Sequence, residues 1–136
     1  MARKISGLFA AIALATAMCV APPAHSEGDQ VRPIRSEKLP NVPGKSITTV
    51  VVNYAPGGKS ASHHHAGSVL AYVLSGEIRS ENSATGPAKV YKAGESFFEP
   101  PGSGHLVSEN ASATEPASLL AIFVADDGAQ LTTFGK

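Results

Sequence analysis

The segment Ser60–Glu77, SASHHHAGSVLAYVLSGE, contains three of the chain's five histidines and continues into an apolar run that ends in Ser-Gly. The run, Val69–Leu74, is rich in residues that favour strands, and the Ser-Gly pair after it marks a turn. Side chains of an extended segment alternate between two faces, so His63 and His65 share one face and His64 lies on the other. Two imidazoles on one face provide half of a metal site.

Further segments of this kind follow one another along the chain and are separated by glycine and proline. The predicted strands are 47–54, 69–74, 77–79, 89–91, 95–98, 105–107, 119–124 and 130–134. No window outside the N-terminal region shows the period of about 3.6 residues that marks an amphipathic helix. Short strands joined by tight turns predict an all-β domain, an antiparallel sandwich or barrel that buries alternate side chains.

The first 26 residues are predicted to be an export signal and not part of the fold. Arg3 and Lys4 precede an apolar run over 8–20, and the small residues Ala24 and Ser26 fit a signal-peptidase site. The run is shorter than the roughly 20 apolar residues of a membrane span and ends at Pro-Pro, which favours cleavage over an anchor. We therefore expect a secreted or periplasmic protein with no membrane association after cleavage.

Residues 27–136 suit one compact domain. Residues 27–45 contain three prolines and are predicted to form an extended lead-in without regular structure, followed by the domain proper over 46–136. The only cysteine, Cys19, lies in the signal, so stability must come from packing or from a metal and not from a disulfide. After loss of Arg3 and Lys4, nine basic residues remain against eleven acidic ones, and no basic patch indicates nucleic-acid binding.

A third histidine of interest, His105, lies forty positions after His65, in the segment AGESFFEPPGSGHLVSEN at 93–110. Closure of a small barrel would bring it opposite His63 and His65. Neutral imidazoles bind zinc, copper, iron or nickel well, and three of them leave positions open for water, oxygen or substrate. From the residues alone, the alternative is a polar surface loop that happens to be rich in histidine.

The two histidine segments resemble the two sequence motifs of the cupin family, small jelly-roll barrels whose interior carries a metal. The matching positions are Gly57, His63-x-His65 and Gly76 for the first motif, and Gly94, Pro100-x-Gly102-x-x-His105 and Asn110 for the second. The resemblance implies an antiparallel jelly-roll β-barrel that binds one divalent transition metal through His63, His65 and His105. Iron is the expected ion, and manganese, nickel, copper and zinc are alternatives.

Two positions depart from the family pattern: Asn110 lies one residue later than usual, with Glu109 in the usual place of the asparagine, and a glutamate is missing from the first motif. The glutamate that usually joins the histidines should fall near Ser68 or Val69, and neither side chain is a carboxylate. The chain therefore resembles the three-histidine cupins, whose known members include iron-dependent dioxygenases. Loss of an anionic ligand leaves the bound ion more positive, which favours an anionic or chelating substrate.

The function implied by the resemblance is that of a small mononuclear metalloenzyme of dioxygenase type acting on a small organic substrate. A metal-dependent isomerase or hydrolase would use the same ion as a Lewis acid. A non-catalytic module that binds a small ligand or stores metal is the alternative from another class. Barrels of this size often pair through edge strands, so we also expect a homodimer.

Tyr72 and Glu99 are the candidate catalytic residues besides the histidines. A barrel-facing phenol at Tyr72 could bind metal or relay a proton, and packing in the core or at the rim is the alternative. Glu99, next to Pro100, could supply the missing carboxylate or act as a general base, and an exposed glutamate at a strand end is the alternative. The sequon that begins at Asn110 indicates an exposed segment.

Overall fold

The computed structural model describes residues 29–135, so the predicted export signal and Cys19 lie outside the described range. Within it, all regular structure is β. The strands are β1 (Gln30–Lys38), β2 (Lys45–Tyr54), β3 (Lys59–Ser60), β4 (His63–His65), β5 (Ser68–Ser75), β6 (Glu77–Asn82), β7 (Gly86–Lys92), β8 (Ser96–Glu99), β9 (Gly104–Asn110), β10 (Ala117–Asp126) and β11 (Thr132–Phe134). Over residues 29–135 there is accordingly no helix that is long and apolar enough to cross a membrane.

The strands form two antiparallel sheets. One sheet has the order β1-β2-β10-β5-β8, and the other has the order β11-β4-β9-β6-β7 with β3 paired to β9. Each sheet combines strands that are distant in sequence, as a jelly roll requires. The prediction of an all-β antiparallel jelly-roll barrel is confirmed.

Alternation along the central strands builds the core between the sheets. In β5 and β10 every second side chain is buried, and these are Val69, Ala71 and Val73 in β5 and Ala117, Leu119, Ala121, Phe123 and Ala125 in β10. The second sheet adds Ile78, which is fully buried. Full burial of an aliphatic side chain of this size stabilises a fold by about 1.5–3 kcal/mol. The apolar side chains buried between the two sheets therefore hold the strands together.

The prediction of an irregular lead-in is wrong for Gln30–Lys38. These residues form β1, which pairs with β2 along its length, and the register shifts between Pro33 and Arg35. Pro33 is tolerated because β1 is an edge strand, where a missing N–H and a bulge cost little. All nine side chains of β1 are exposed. A strand is recognised in sequence by alternation of apolar and polar residues, and β1 lacks that pattern.

Asn110, in the second motif, is buried, contrary to the exposure that its sequon indicates. Its Nδ2 donates to the carbonyl oxygens of Ala55 at 3.1 Å and Glu115 at 2.7 Å. Its Oδ1 accepts from the backbone N–H of Ser112 at 2.9 Å. The side chain therefore ties two loops to the end of β9, which is a structural role.

Gly76 forms the tight turn predicted between β5 and β6. Its φ is +68°, a conformation that glycine adopts without strain. A Cβ atom there would lie 2.6 Å from the carbonyl oxygen of Pro116 and 2.8 Å from Cβ of Ala117. Gly76 thus lets the turn pass directly over the beginning of β10.

Candidate metal centre

The structure brings together the three histidines that the sequence singled out. His63 and His65 lie on β4, and His63 is directly opposite His105 on the neighbouring strand β9. All three side chains are buried, and one nitrogen from each lies within 4.8 Å of those of the other two. The ring of His63 is 4.8 Å from that of His65 and 5.0 Å from that of His105, centroid to centroid. A single ion could reach all three.

Backbone carbonyls fix the protonation of two of these rings. His63 Nδ1 lies 2.7 Å from the carbonyl oxygen of Ala61, and His65 Nδ1 lies 3.1 Å from that of Leu131. A carbonyl oxygen can only accept, so each Nδ1 carries the hydrogen and each Nε2 keeps its lone pair. Thr132 Oγ1, also 3.1 Å from His65 Nδ1, adds a second contact from β11. This tautomer is the one that binds a metal through Nε2.

The electrostatic surroundings keep both rings neutral. Burial lowers the pKa of His63 and of His65 below the ordinary value, and it outweighs the opposing effects of the carbonyl hydrogen bonds and of Glu99. A neutral imidazole is the form that coordinates a divalent ion. The two rings are therefore ready to bind at neutral pH.

His105 is held from both sides. Its Nε2 lies 2.8 Å from Ser80 Oγ, and its Nδ1 lies 3.0 Å from Oε2 of Glu99. The second pair of atoms is close but poorly aligned, so Nδ1 is a buried nitrogen without a hydrogen-bond partner. A group in this state costs on the order of 1–3 kcal/mol unless something satisfies it. A divalent transition metal among these side chains would do so, and the set of donors fits such an ion.

Glu99 belongs to the site, as its choice as a candidate required, and the alternative of an exposed glutamate at a strand end is wrong. The exposed fraction of its side chain is 4%, and Oε2 lies 3.9 Å from His65 Nε2. Along β8, Phe97 and Glu99 face inward and Phe98 faces outward. Burial raises the pKa of Glu99, but the contact with His105 and the potential of the other histidines lower it overall below its ordinary value. Glu99 is therefore a carboxylate at neutral pH.

Tyr72 and His64 lie away from the site. Tyr72 stands on β5 between the inward-facing Ala71 and Val73, and 42% of the residue is exposed on the outer surface. The prediction of a barrel-facing phenol is therefore wrong, because alternation along the strand turns the ring outward. His64 is half-buried on the face opposite to its two neighbours, as expected from the same alternation.

A cavity of about 240 Å³ opens beside the histidines. Its wall is mainly aliphatic and aromatic, and three phenylalanines, Phe97, Phe123 and Phe134, contribute rings. Asp29 and Glu99 line it as well, and no lysine or arginine does so among the residues that the structure describes. The cavity therefore combines an apolar wall with a negative local charge.

Tyr54 is a cavity residue that the sequence analysis did not single out. Its buried hydroxyl lies 3.0 Å from Ser60 Oγ and 2.8 Å from Ser108 Oγ, and Ser60 donates to Asp29 Oδ2 at 2.6 Å. Because the Asp29 carboxylate only accepts, the donors run from Ser108 to Tyr54 to Ser60 to Asp29. Burial raises the pKa of Tyr54 and keeps the phenol neutral. The lone pairs of Ser108 Oγ are left to accept from a molecule in the cavity.

Replacing Tyr54 with phenylalanine is expected to lower the free energy of unfolding by about 1–2 kcal/mol, because the buried Ser108 and the half-buried Ser60 lose their shared partner. Urea unfolding followed by circular dichroism measures the change. The control is Tyr72→Phe, whose hydroxyl is on the exposed outer surface and whose loss should change stability by less than about 0.5 kcal/mol. Equal losses in the two variants would show that the buried network contributes nothing.

Comparisons with known proteins bear on both the fold and the site. Residues 50–123 match the family model for the cupin domain. The chain is 33% identical over 100 residues to germin-like protein subfamily 2 member 2 from Arabidopsis thaliana, a match that covers 71% of this chain and 45% of that protein. The chain thus spans less than half the length of this relative.

Solved structures show the same architecture. An oxalate decarboxylase from Bacillus subtilis is 28% identical with a TM-score of 0.60, over 84% of this chain and 30% of the other. A conserved protein with a double-stranded β-helix domain from Klebsiella pneumoniae is 27% identical with a TM-score of 0.55, over 77% of this chain and 85% of the other. Because the family model covers more than half of the chain and the fold agrees with it, the chain belongs to the cupin family.

Proposed function

We propose that this cupin is a small mononuclear metalloenzyme of dioxygenase type that acts on a small, neutral organic substrate. The observation that carries the proposal is the buried group of three histidines opening onto an apolar cavity of about 240 Å³. A divalent transition metal supplies Lewis-acid polarisation of a substrate oxygen and, when it is iron, electron transfer to O₂. The apolar wall keeps bulk water away from that chemistry.

The ligands are neutral imidazoles of fixed orientation. Nε2 of His63, Nε2 of His65 and Nδ1 of His105 are the nitrogens left free by the hydrogen bonds of each ring. Iron is the ion that suits an oxygenase, and manganese, nickel, copper and zinc are also accepted by such ligands.

The charge of the cavity favours a neutral substrate over an anionic one. Asp29 and Glu99 line it without a lysine or arginine among the described lining residues, so two carboxylates offset the two positive charges of a divalent ion and leave a dianion such as oxalate little net attraction. The anionic substrate suggested by the missing motif-1 glutamate is therefore disfavoured. A compact molecule with two oxygen donors, such as a 1,3-diketone or a catechol, has the donor atoms needed to chelate the ion. A hydroxyl or amine at its far end could donate to Ser108 Oγ.

Elemental analysis of natively produced protein, followed by oxygen uptake with diketones, phenols and thiols, tests the proposal. We expect close to stoichiometric metal, with iron the main ion, and oxygen uptake with a neutral chelating compound that stops after treatment with a chelator. Oxalate is the matched anionic control and should give no uptake. Release of CO₂ from oxalate without oxygen consumption would instead indicate a decarboxylase like the Bacillus relative.

The competing functions predict other outcomes. A metal-dependent isomerase or hydrolase would convert its substrate at the same rate with and without oxygen. A non-catalytic module would bind a small ligand equally well after the metal had been removed. Either result would overturn the oxygenase proposal.

The proposal also includes export of the protein and its pairing into a homodimer. Export rests on the signal-like residues 1–26, and cell fractionation with N-terminal sequencing should find a mature chain beginning at Glu27 outside the cytoplasm. Pairing is supported by exposed apolar side chains on the outer face of β5 and β8, namely Leu70, Leu74 and Phe98. Light scattering that gives the mass of a single chain would contradict the dimer.

A further inference from the structure

Two facing positions in the barrel interior differ from the family pattern. In this chain the carboxylate lies on β8 and an aliphatic side chain lies on β5. The family pattern implies a glutamate near Val69 on β5, and Glu99 on β8 is paired directly opposite Val69. Both side chains point inward, with 1% of Val69 and 3% of Glu99 exposed. Side chains paired in this way have Cβ atoms about 4.5–5.5 Å apart. A carboxylate at either position therefore reaches the same part of the interior.

We infer that Glu99 supplies from β8 the carboxylate that other cupins place on β5, and that it is the fourth protein group on the bound metal. The inference rests on the proposed metal site. Glu99 Oε2 lies 3.0 Å from His105 Nδ1 and 3.9 Å from His65 Nε2. Two ligand atoms that are each about 2.1 Å from one ion, at right angles to each other, lie about 3.0 Å apart. The carboxylate thus stands where a neighbouring ligand would.

The hydrogen bonding of Glu99 supports the same conclusion. The buried carboxylate accepts one long hydrogen bond, from Asn82 Nδ2 at 3.5 Å. The histidine nitrogen beside it, Nδ1 of His105, lies 3.0 Å from the carboxylate but is not aligned with it as a regular hydrogen bond. A buried carboxylate is costly unless it is well paired, and an unsatisfied nitrogen adds to that cost. One cation between the two atoms would satisfy both.

A ligand contributed in this way changes the charge of the centre. Three neutral imidazoles alone leave a divalent ion with its full charge, whereas a carboxylate among them reduces that charge by about one unit. The expectation of a more positive ion, which followed from the missing motif-1 glutamate, is then replaced by a site of ordinary charge. The chain would keep the chemistry of the family while taking one ligand from a different strand.

Titration of the metal-free full chain with Mn²⁺, followed by calorimetry, tests the inference with three variants. Glu99→Gln keeps the size of the side chain and should lower the affinity by about 100-fold or more, beyond the 10–100-fold typical of groups that act only through a ligand. Glu99→Val should lower it at least as much. The double variant Val69→Glu/Glu99→Val returns the carboxylate to β5 and should restore the affinity to within about tenfold of the wild type.

The outcomes separate this inference from the proposed function. Wild-type affinity in Glu99→Gln, or a double variant that binds no better than Glu99→Val, would overturn the inference while leaving the three-histidine site intact. A wild-type protein that binds no Mn²⁺ would overturn the metal site itself and the inference with it. Circular dichroism of each variant establishes that the barrel has folded, and Glu99→Gln, which has the same shape as the native side chain, decides the matter if the valine variants do not fold.

Discussion

Replacing His105 with alanine is expected to lower the affinity of the protein for Mn²⁺ by more than about 100-fold, because it removes one of three imidazoles, whereas changes in supporting groups alone cost about 10–100-fold. The residue is buried and contacts both Glu99 and the ring of His63. Calorimetric titration and elemental analysis of the purified variant measure the loss.

The matched control is His64→Ala. His64 lies on the same strand as two of the ligands, but its side chain points to the opposite face, so the affinity should change by less than about threefold. Equal loss in the two variants would overturn the assignment of faces along β4. Ser80 loses its partner when His105 is removed, and unfolding curves should therefore accompany the titration.

Replacing Gly76 with alanine is expected to lower the free energy of unfolding by about 2–5 kcal/mol. The positive φ of +68° costs a residue with a Cβ about 1–2 kcal/mol. The new Cβ would also approach the Pro116 carbonyl oxygen to 2.6 Å, and relief of such crowding typically costs about 1–3 kcal/mol more. Urea unfolding of the metal-free protein measures the sum.

Gly57→Ala is the matched control for this change. Gly57 has the same φ of +68°, but a Cβ there meets nothing within 4 Å. Its cost should be limited to the backbone strain of about 1–2 kcal/mol. The difference between the two variants isolates the steric term, and identical losses would mean that the contact with β10 relaxes without cost.

Much of the fold could be predicted from the sequence because its central strands are rich in β-branched and other apolar residues and are followed by turns that contain glycine or proline. Strand β2 and strand β5 were located to within two residues of their observed ends. Strand β1 was missed because it buries none of its side chains and contains Pro33. Strand β3 is only two residues long and pairs with β9 without any local sequence signal. The strands that escaped prediction are either very short or fully exposed, so neither shows alternation of apolar and polar residues.

The functional site likewise contains residues that the sequence predicts and residues that it does not. The histidines could be named because His63 and His65 share one face of an extended segment and both histidine segments resemble the two cupin motifs. The inward orientation of Glu99 follows from alternation with Phe97, a signal that was present but was masked by the adjoining Pro100. The Tyr54 network could not be foreseen, since it joins hydroxyls and a carboxylate from four separate segments that meet only in the folded barrel.

The proposed metal-binding groups lie on β4, β8 and β9, so binding of the ion would stabilise the folded state. Strand β4 is far in sequence from β8 and β9 and meets β9 only when the barrel closes, so an unfolded chain offers the ion no comparable site. By mass action, free metal at about 100 times its dissociation constant would add about 2.7 kcal/mol to the stability of the native state. The melting temperature of this small barrel would then rise with metal concentration, and a heat-denaturation curve would serve as a binding isotherm.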